Sequence, residues 1–171
     1  MVETRSDAAA QSKVWEMVKD IEVAMMVTRD EEGHFRGRPM RAVQQGQGDV
    51  LWFFTQGGSP KTGEVQEDER VLLAYSDPGG QNYVSISGTA QVVRDVAKQK
   101  ELWSEPLRVW FPQGAEAPEV ALLKVTVDGA EYWDSPNSTL IHAYGYVKAL
   151  ATGKPPSAGE NEKVEFSRSA G

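Results

Sequence analysis

A chain of 171 residues, 40% hydrophobic and 25% charged, suits a single globular domain with a real core rather than two domains. A formal charge of −7 argues against general affinity for nucleic acid or anionic lipid, and no apolar run is long enough to cross a bilayer, so neither partner is expected. The absence of cysteine removes disulfides, thiolate metal sites and cysteine nucleophiles, and it fits a reducing, cytoplasmic setting. The opening MVETRSDAAAQSK lacks the apolar core of a secretory signal.

Residues 1–10 read as a flexible N-terminal tail, 11–153 as the folded domain and 154–171 as a C-terminal tail. From about Ala8 to Asp20 the helical spacing of Val14, Met17, Val18 and Ile21 predicts an amphipathic helix. VAMMVT (Val23 to Thr28) reads as a buried strand, RDEEGH as a turn, and FRGRPMRAVQ as a second strand. Pro39 lacks a ladder donor and puts that second strand at an edge or bulge. VLWFFT (Val50 to Thr55) is apolar on both faces, so it predicts a strand with core on one side and a partner or ligand on the other.

SPKTGEVQEDE predicts a short polar helix and RVLLAYSD another strand. NYVSISGTAQVVRD alternates cleanly, with Gly88 suggesting an interior bulge. A helix over VAKQKELW, an irregular proline-containing stretch and one or two strands in ALLKVTVDGAEYWD follow. TLIHAYGYVKALATG predicts a closing helix, stopped by Gly153. Many hairpin-linked strands with interior glycines favour a mainly β (α+β) fold, a small antiparallel barrel with flanking helices.

The stretch WFFTQGGSPKTGE carries the functional question. Ser59 is a good N-cap and Pro60 suits the first helical position. The amides around Thr62 would then be open donors at the positive end of a helix, with Lys61 adding charge: an anion cradle. The plain alternative is a capped helix with Lys61 in solvent. Arg36, Arg38 and Arg41 form a second cationic group on one strand, whose plain reading is edge protection. Of the two histidines, His34 reads as a solvated turn residue and His142 as helix packing, with catalysis by His142 the minor alternative. No metal site can be assembled from them, and no catalytic residue is assigned. The pairs Glu31–Glu32 and Glu67–Asp68–Glu69 read as solvated turns and helix ends.

The ordered segments VAMMVTRDEEGHFRGRPM, LWFFTQGGSPKTGEV, YVSISGTAQVV, WFPQG and AEYWDSP resemble the general stress protein 26 group. That group belongs to the pyridoxamine 5′-phosphate oxidase-like, FMN-binding split-barrel superfamily, and the resemblance spans roughly residues 12–165. It implies an antiparallel split β-barrel homodimer with FMN at the interface. It also implies cofactor contacts from Arg38, Pro39 and Met40, from Phe53, Phe54 and Thr55, and from Ser59, Pro60 and Lys61 around the phosphate. Pro60 stands where the vitamin-salvage oxidases commonly carry an Arg, so Arg38 is expected to compensate. Tyr83, Val84, Ser85 and Trp133 are implied contacts from the second subunit, with Trp110 closing the pocket; packing is the alternative for both tryptophans and the preferred one for Trp52.

The chain also departs from the oxidases. The substrate lysine is replaced by Val43, and DSPNSTLIHAYG contains no arginine where a substrate motif would stand. The resemblance therefore implies a stress-related, FMN-dependent oxidoreductase, with a small-molecule or nicotinamide electron donor, rather than a true pyridoxamine-phosphate oxidase. A flavin-binding or redox-sensing protein without turnover is the alternative.

Overall fold

A computed structural model of the chain describes residues 4–5, 8–43, 48–134 and 160–166. Eight strands join in one sheet among these residues: β1 (Thr4–Arg5), β2 (Val23–Arg29), β3 (Phe35–Arg41), β4 (Val50–Gln56), β5 (Arg70–Asp77), β6 (Asn82–Val93), β7 (Val120–Asp134) and β8 (Glu160–Glu165). The helices are α1 (Ala8–Ile21), α2 (Pro60–Glu67) and α3 (Val96–Leu102), followed by a 3-10 turn over Glu105–Val109. None is long and apolar enough to cross a membrane.

The order β8-β7-β6-β5-β2-β3 is antiparallel throughout, and β4 pairs antiparallel with β7 over Val50–Gln56. The long β7 therefore has β6 on one edge, and β4 and then β8 on the other. The sheet rolls into a split barrel whose seam lies between β3 and β4, where the Val43 amide donates to Trp52 O (2.8 Å). Pro39 sits on β3, which pairs only with β2 among the described strands, as its missing donor requires.

Alternation sets the two faces. Ala24 and Met26, Leu73 and Tyr75, Val84 and Ile86 point inward with Leu51 and Phe53. Helix α1 closes this core with Ala10, Val14, Met17 and Val18, the periodic positions of its sequence. The expected bulge falls at Ser87/Gly88. A Cβ on Gly88 would come within 2.4 Å of Thr126 O, so only glycine permits this close approach to β7.

Two expectations are corrected. The C-terminal segment is not all tail: Glu160–Glu165 pair with Gly129–Asp134, and Val164 and Phe166 enter the core. Nor is the N-terminus, since Thr4–Arg5 pair in parallel with Lys163–Val164 and α1 begins at Ala8. A strand of six polar-rich residues carries little periodic signal of its own; the waiting edge of β7 recruits it. The closing helix expected over TLIHAYGYVKALATG, with His142, lies outside the described residues.

Candidate functional site

The turn after β4 is built as its sequence requires. Gly58 has φ +84°, a left-handed conformation that favours glycine. Ser59 precedes α2 with extended backbone and Pro60 occupies the first turn. Ser59 O then accepts from the Thr62 amide (3.0 Å) and the Gly63 amide (3.3 Å), while the Gly58 amide donates to Thr62 Oγ1 (3.1 Å). The amides expected to be open donors near Thr62 are therefore largely spent within the turn. The Gly57 amide is likewise spent on protein, donating to Glu119 O (2.7 Å). What stays unspent is the Ser59 hydroxyl. It makes no side-chain cap, and its Oγ is buried with no hydrogen-bond partner. Buried hydroxyls normally find partners, so this one calls for an acceptor or donor supplied from outside.

A groove of about 860 Å3 opens beside this turn, between α2, the β2–β3 turn and β3. Arg36, Arg38, Ser59, Pro60 and Lys61 all line it. Arg38 lies at its floor, where Nη2 donates to Glu64 Oε2 (2.7 Å) and Nη1 donates to Thr28 Oγ1. Thr28 Oγ1 in turn donates to the same Glu64 oxygen. Glu64 is 7% exposed, so this is a buried ion pair with a hydroxyl bridge. Burial pushes the Glu64 carboxyl up, but the Thr28 hydroxyl and the Arg38 guanidinium outweigh it and hold the group below the usual glutamate range.

Lys61 shows the opposite balance. Burial, then the charge of Arg38, holds its ammonium below the ordinary lysine value, against a smaller upward pull from Glu64. Arg36 is engaged by Asp30 (Nε to Oδ2, 3.0 Å). Among the described residues Lys61 is thus the groove cation without an ion-pair partner. The lining as a whole holds three basic and five acidic side chains, Glu31, Glu32 and Glu67 completing the set with Asp30 and Glu64. Glu31, Glu32 and Glu67 are exposed, as expected for solvated turn and helix-end residues; desolvation, then the neighbouring Glu31, raises the Glu67 carboxyl. His34 is exposed, with Nδ1 3.3 Å from Glu32 and 3.6 Å from Asp30.

The other residues assigned by the resemblance lie elsewhere. Met40 shares the Arg38 face of β3 but packs partly buried against the core, while Pro39 faces the opposite side. Phe53 is fully buried in the barrel core. Phe54 packs between Trp103 (ring centroids 5.6 Å) and Phe111 (5.9 Å). The second face of β4, expected to meet a partner or ligand, is covered by this cluster of the chain's own residues, with Leu122 and Val120. Thr55 is buried beside them, with Oγ1 lacking a partner.

Val84 points into the core, while Tyr83 and Ser85 stand on the outer face of β6, where Tyr83 pairs across to Trp133. Trp133 and Tyr83 are partly exposed and Trp110 is 73% exposed. Trp52 packs against the satellite cluster with the Lys98 ammonium over its ring (5.5 Å), as expected for a packing residue. Glu64 and Thr28 were not identified from sequence. A glutamate three residues after Lys61 on a helix gives no local sign that it reaches an arginine 26 positions earlier.

A family model described as pyridoxamine 5′-phosphate oxidase like matches residues 9–157. Protein bli-3 of Neurospora crassa is 26% identical over 151 residues, covering 82% of this chain and 72% of that protein. The general stress FMN/FAD binding protein of Xanthomonas citri superposes with a TM-score of 0.65 at 31% identity, covering 78% of this chain and 92% of the other. A Jannaschia sp. CCS1 protein assigned to general stress protein 26 superposes with a TM-score of 0.72 at 25% identity, covering 94% and 100%.

Proposed function

Because the chain belongs to the pyridoxamine 5′-phosphate oxidase like family, we propose that it binds FMN in the groove beside α2 and exchanges electrons through it. The observation that carries this is the buried Ser59 Oγ next to Lys61, the one without a hydrogen-bond partner and the other without an ion pair among the described residues. A phosphate supplies what both lack: acceptor oxygens for the hydroxyl and negative charge for the ammonium. The residues fit the group, but not through an open helix end. Side chains of Ser59 and Lys61 would hold the phosphate, and the ordered Arg38 would face the rest of the cofactor. When bound, FMN supplies the redox chemistry, and the chain supplies binding, orientation and charge.

The similar Xanthomonas citri protein, described as FMN/FAD binding, supports the same reading. The substrate is not pyridoxamine phosphate in this proposal. Val43, where the oxidases carry a lysine, packs against the apolar satellite cluster and offers no cation.

The functional unit in this reading is a homodimer. Val23, Met25, Leu72, Tyr83 and Trp133 are all exposed on the outer face of β2, β5, β6 and β7. Register places them together: Met25 opposes Pro39 and Ala74, Val27 opposes Gly37 and Leu72, and Tyr83 opposes Trp133. This outer face, where apolar side chains are interspersed with Ser76, Ser85, Ser87 and Glu131, suits a second copy of the chain, bringing Tyr83, Ser85 and Trp133 to the partner's cofactor.

An absorbance spectrum before and after incubation with FMN tests the cofactor. Bound oxidised-flavin bands are expected, and a flat spectrum after loading would end the flavin reading. Steady-state oxidation of a nicotinamide nucleotide by the loaded protein then separates an oxidoreductase from a flavin-binding protein without turnover.

A further inference from the structure

The groove contains an element that a phosphate site does not call for. Glu64, a buried carboxylate, projects from the third position after Lys61 onto Arg38, with Nη2 to Oε2 at 2.7 Å. The pair is shielded, with the two side chains 21% and 8% exposed. The Thr28 hydroxyl donates to the same carboxylate oxygen, so Glu64 is held from two strands. Arg38 is therefore not a free cation available to an incoming anion.

We infer that Glu64 is an internal counter-charge that occupies Arg38 and weakens the discrimination of this groove for a phosphorylated over an unphosphorylated flavin. This rests on the flavin reading above and goes beyond it by assigning a specificity-determining role to a residue of α2. The physical reason is direct. A dianionic phosphate near Lys61 meets the field of Glu64 in a partly dry groove, where charge is screened less than in water. The remaining acidic lining, Asp30, Glu31, Glu32 and Glu67, is nearer solvent and screened more; Arg36 is already balanced by Asp30. Neutralising Glu64 leaves Arg38 with uncompensated charge at the groove floor. Riboflavin carries no phosphate and does not sense the change.

The experiment compares wild type with Glu64→Gln, which keeps an acceptor for Thr28 and Arg38. Dissociation constants for FMN and riboflavin are read by quenching of flavin fluorescence, at several salt concentrations. Glu64→Gln is expected to bind FMN about tenfold more tightly, with a steeper salt dependence, and riboflavin within about twofold of wild type. Glu64→Met, neutral and of similar length, gives the same comparison if the glutamine variant does not fold. An unchanged FMN-to-riboflavin ratio in a folded variant overturns the inference, while tight flavin binding by both proteins leaves the flavin reading standing. If neither protein binds either flavin, the flavin reading falls. Inorganic pyrophosphate, followed by calorimetry, then decides the counter-charge alone: tighter binding to the variant supports it, and equal or absent binding overturns it.

Discussion

Two segments lean on β4 and use its residues in opposite ways. On one side, the stretch from Trp103 to Val120 lays Trp103, Phe111 and Ala117 over Phe54 and seals that face with rings. On the other, the turn from Gly57 into α2 leaves a hydroxyl and an ammonium facing a groove and ties an arginine to a buried carboxylate. A hydrogen bond from the Gly57 amide to Glu119 O joins the two segments. The difference teaches where a ligand can act. Aromatic side chains gain most by excluding water from one another, so they are consumed in packing. Charged and hydroxyl groups stay available where the chain supplies too few partners.

The comparison breaks most sharply at Phe54. If its ring is core, Phe54→Ala costs about 3–5 kcal/mol in urea unfolding, with or without flavin. A loss below about 1 kcal/mol would make Phe54 a ligand wall instead. The outer sheet face offers the next effect. Leu72→Glu places a charge among its apolar side chains and is expected to weaken self-association about 100-fold or more, about 3 kcal/mol, measured by sedimentation equilibrium. A protein that is monomeric before the substitution would remove the second copy from the proposed site.

Lys61→Ala addresses the groove alone. FMN affinity should fall about tenfold while the unfolding midpoint stays within about 0.5 kcal/mol of wild type, because Lys61 has no ion pair among the described residues to lose. A larger stability loss with unchanged affinity would turn the cradle back into a capped helix.

The smallest effect is in pH dependence. Thr28 and Arg38 hold the folded Glu64 carboxyl lower than in the unfolded chain, despite burial. In the window between the two values the unfolded chain binds more protons, so stability rises with pH there. The contribution is complete above about pH 4.3, the ordinary glutamate value, and is lost as pH falls through the depressed folded value. Glu64→Gln should flatten the acid limb of a stability profile in that window, and an unchanged limb would mean that the carboxylate is not held by these partners.

Much of the frame was legible in the sequence. Val14, Met17 and Val18 marked the buried face of α1, the alternation in NYVSISG set the two faces of β6, and Gly88 marked the bulge. Ser59, Lys61 and Arg38 did converge on one groove. The neighbouring assignments Pro39 and Val84 differ because adjacent strand residues point to opposite faces, so three successive residues cannot all turn their side chains to one ligand. Phe53 and Phe54 look equivalent in a string of letters, yet one enters the barrel and the other the satellite cluster.

The sequence by itself determined what depends on neighbours a few positions away: strand and helix periods, the glycine turn, the proline at the start of α2 and the edge position of β3. Only the tertiary structure decided which polar groups meet. Thr28, Arg38 and Glu64 come from β2, β3 and α2, and the edge of β7 turned an expected tail into β8. Each of these is a pairing energy between distant segments, with geometry set by how the barrel closes. No local pattern encodes it, because the stabilisation exists only once both partners share the same few ångströms of space.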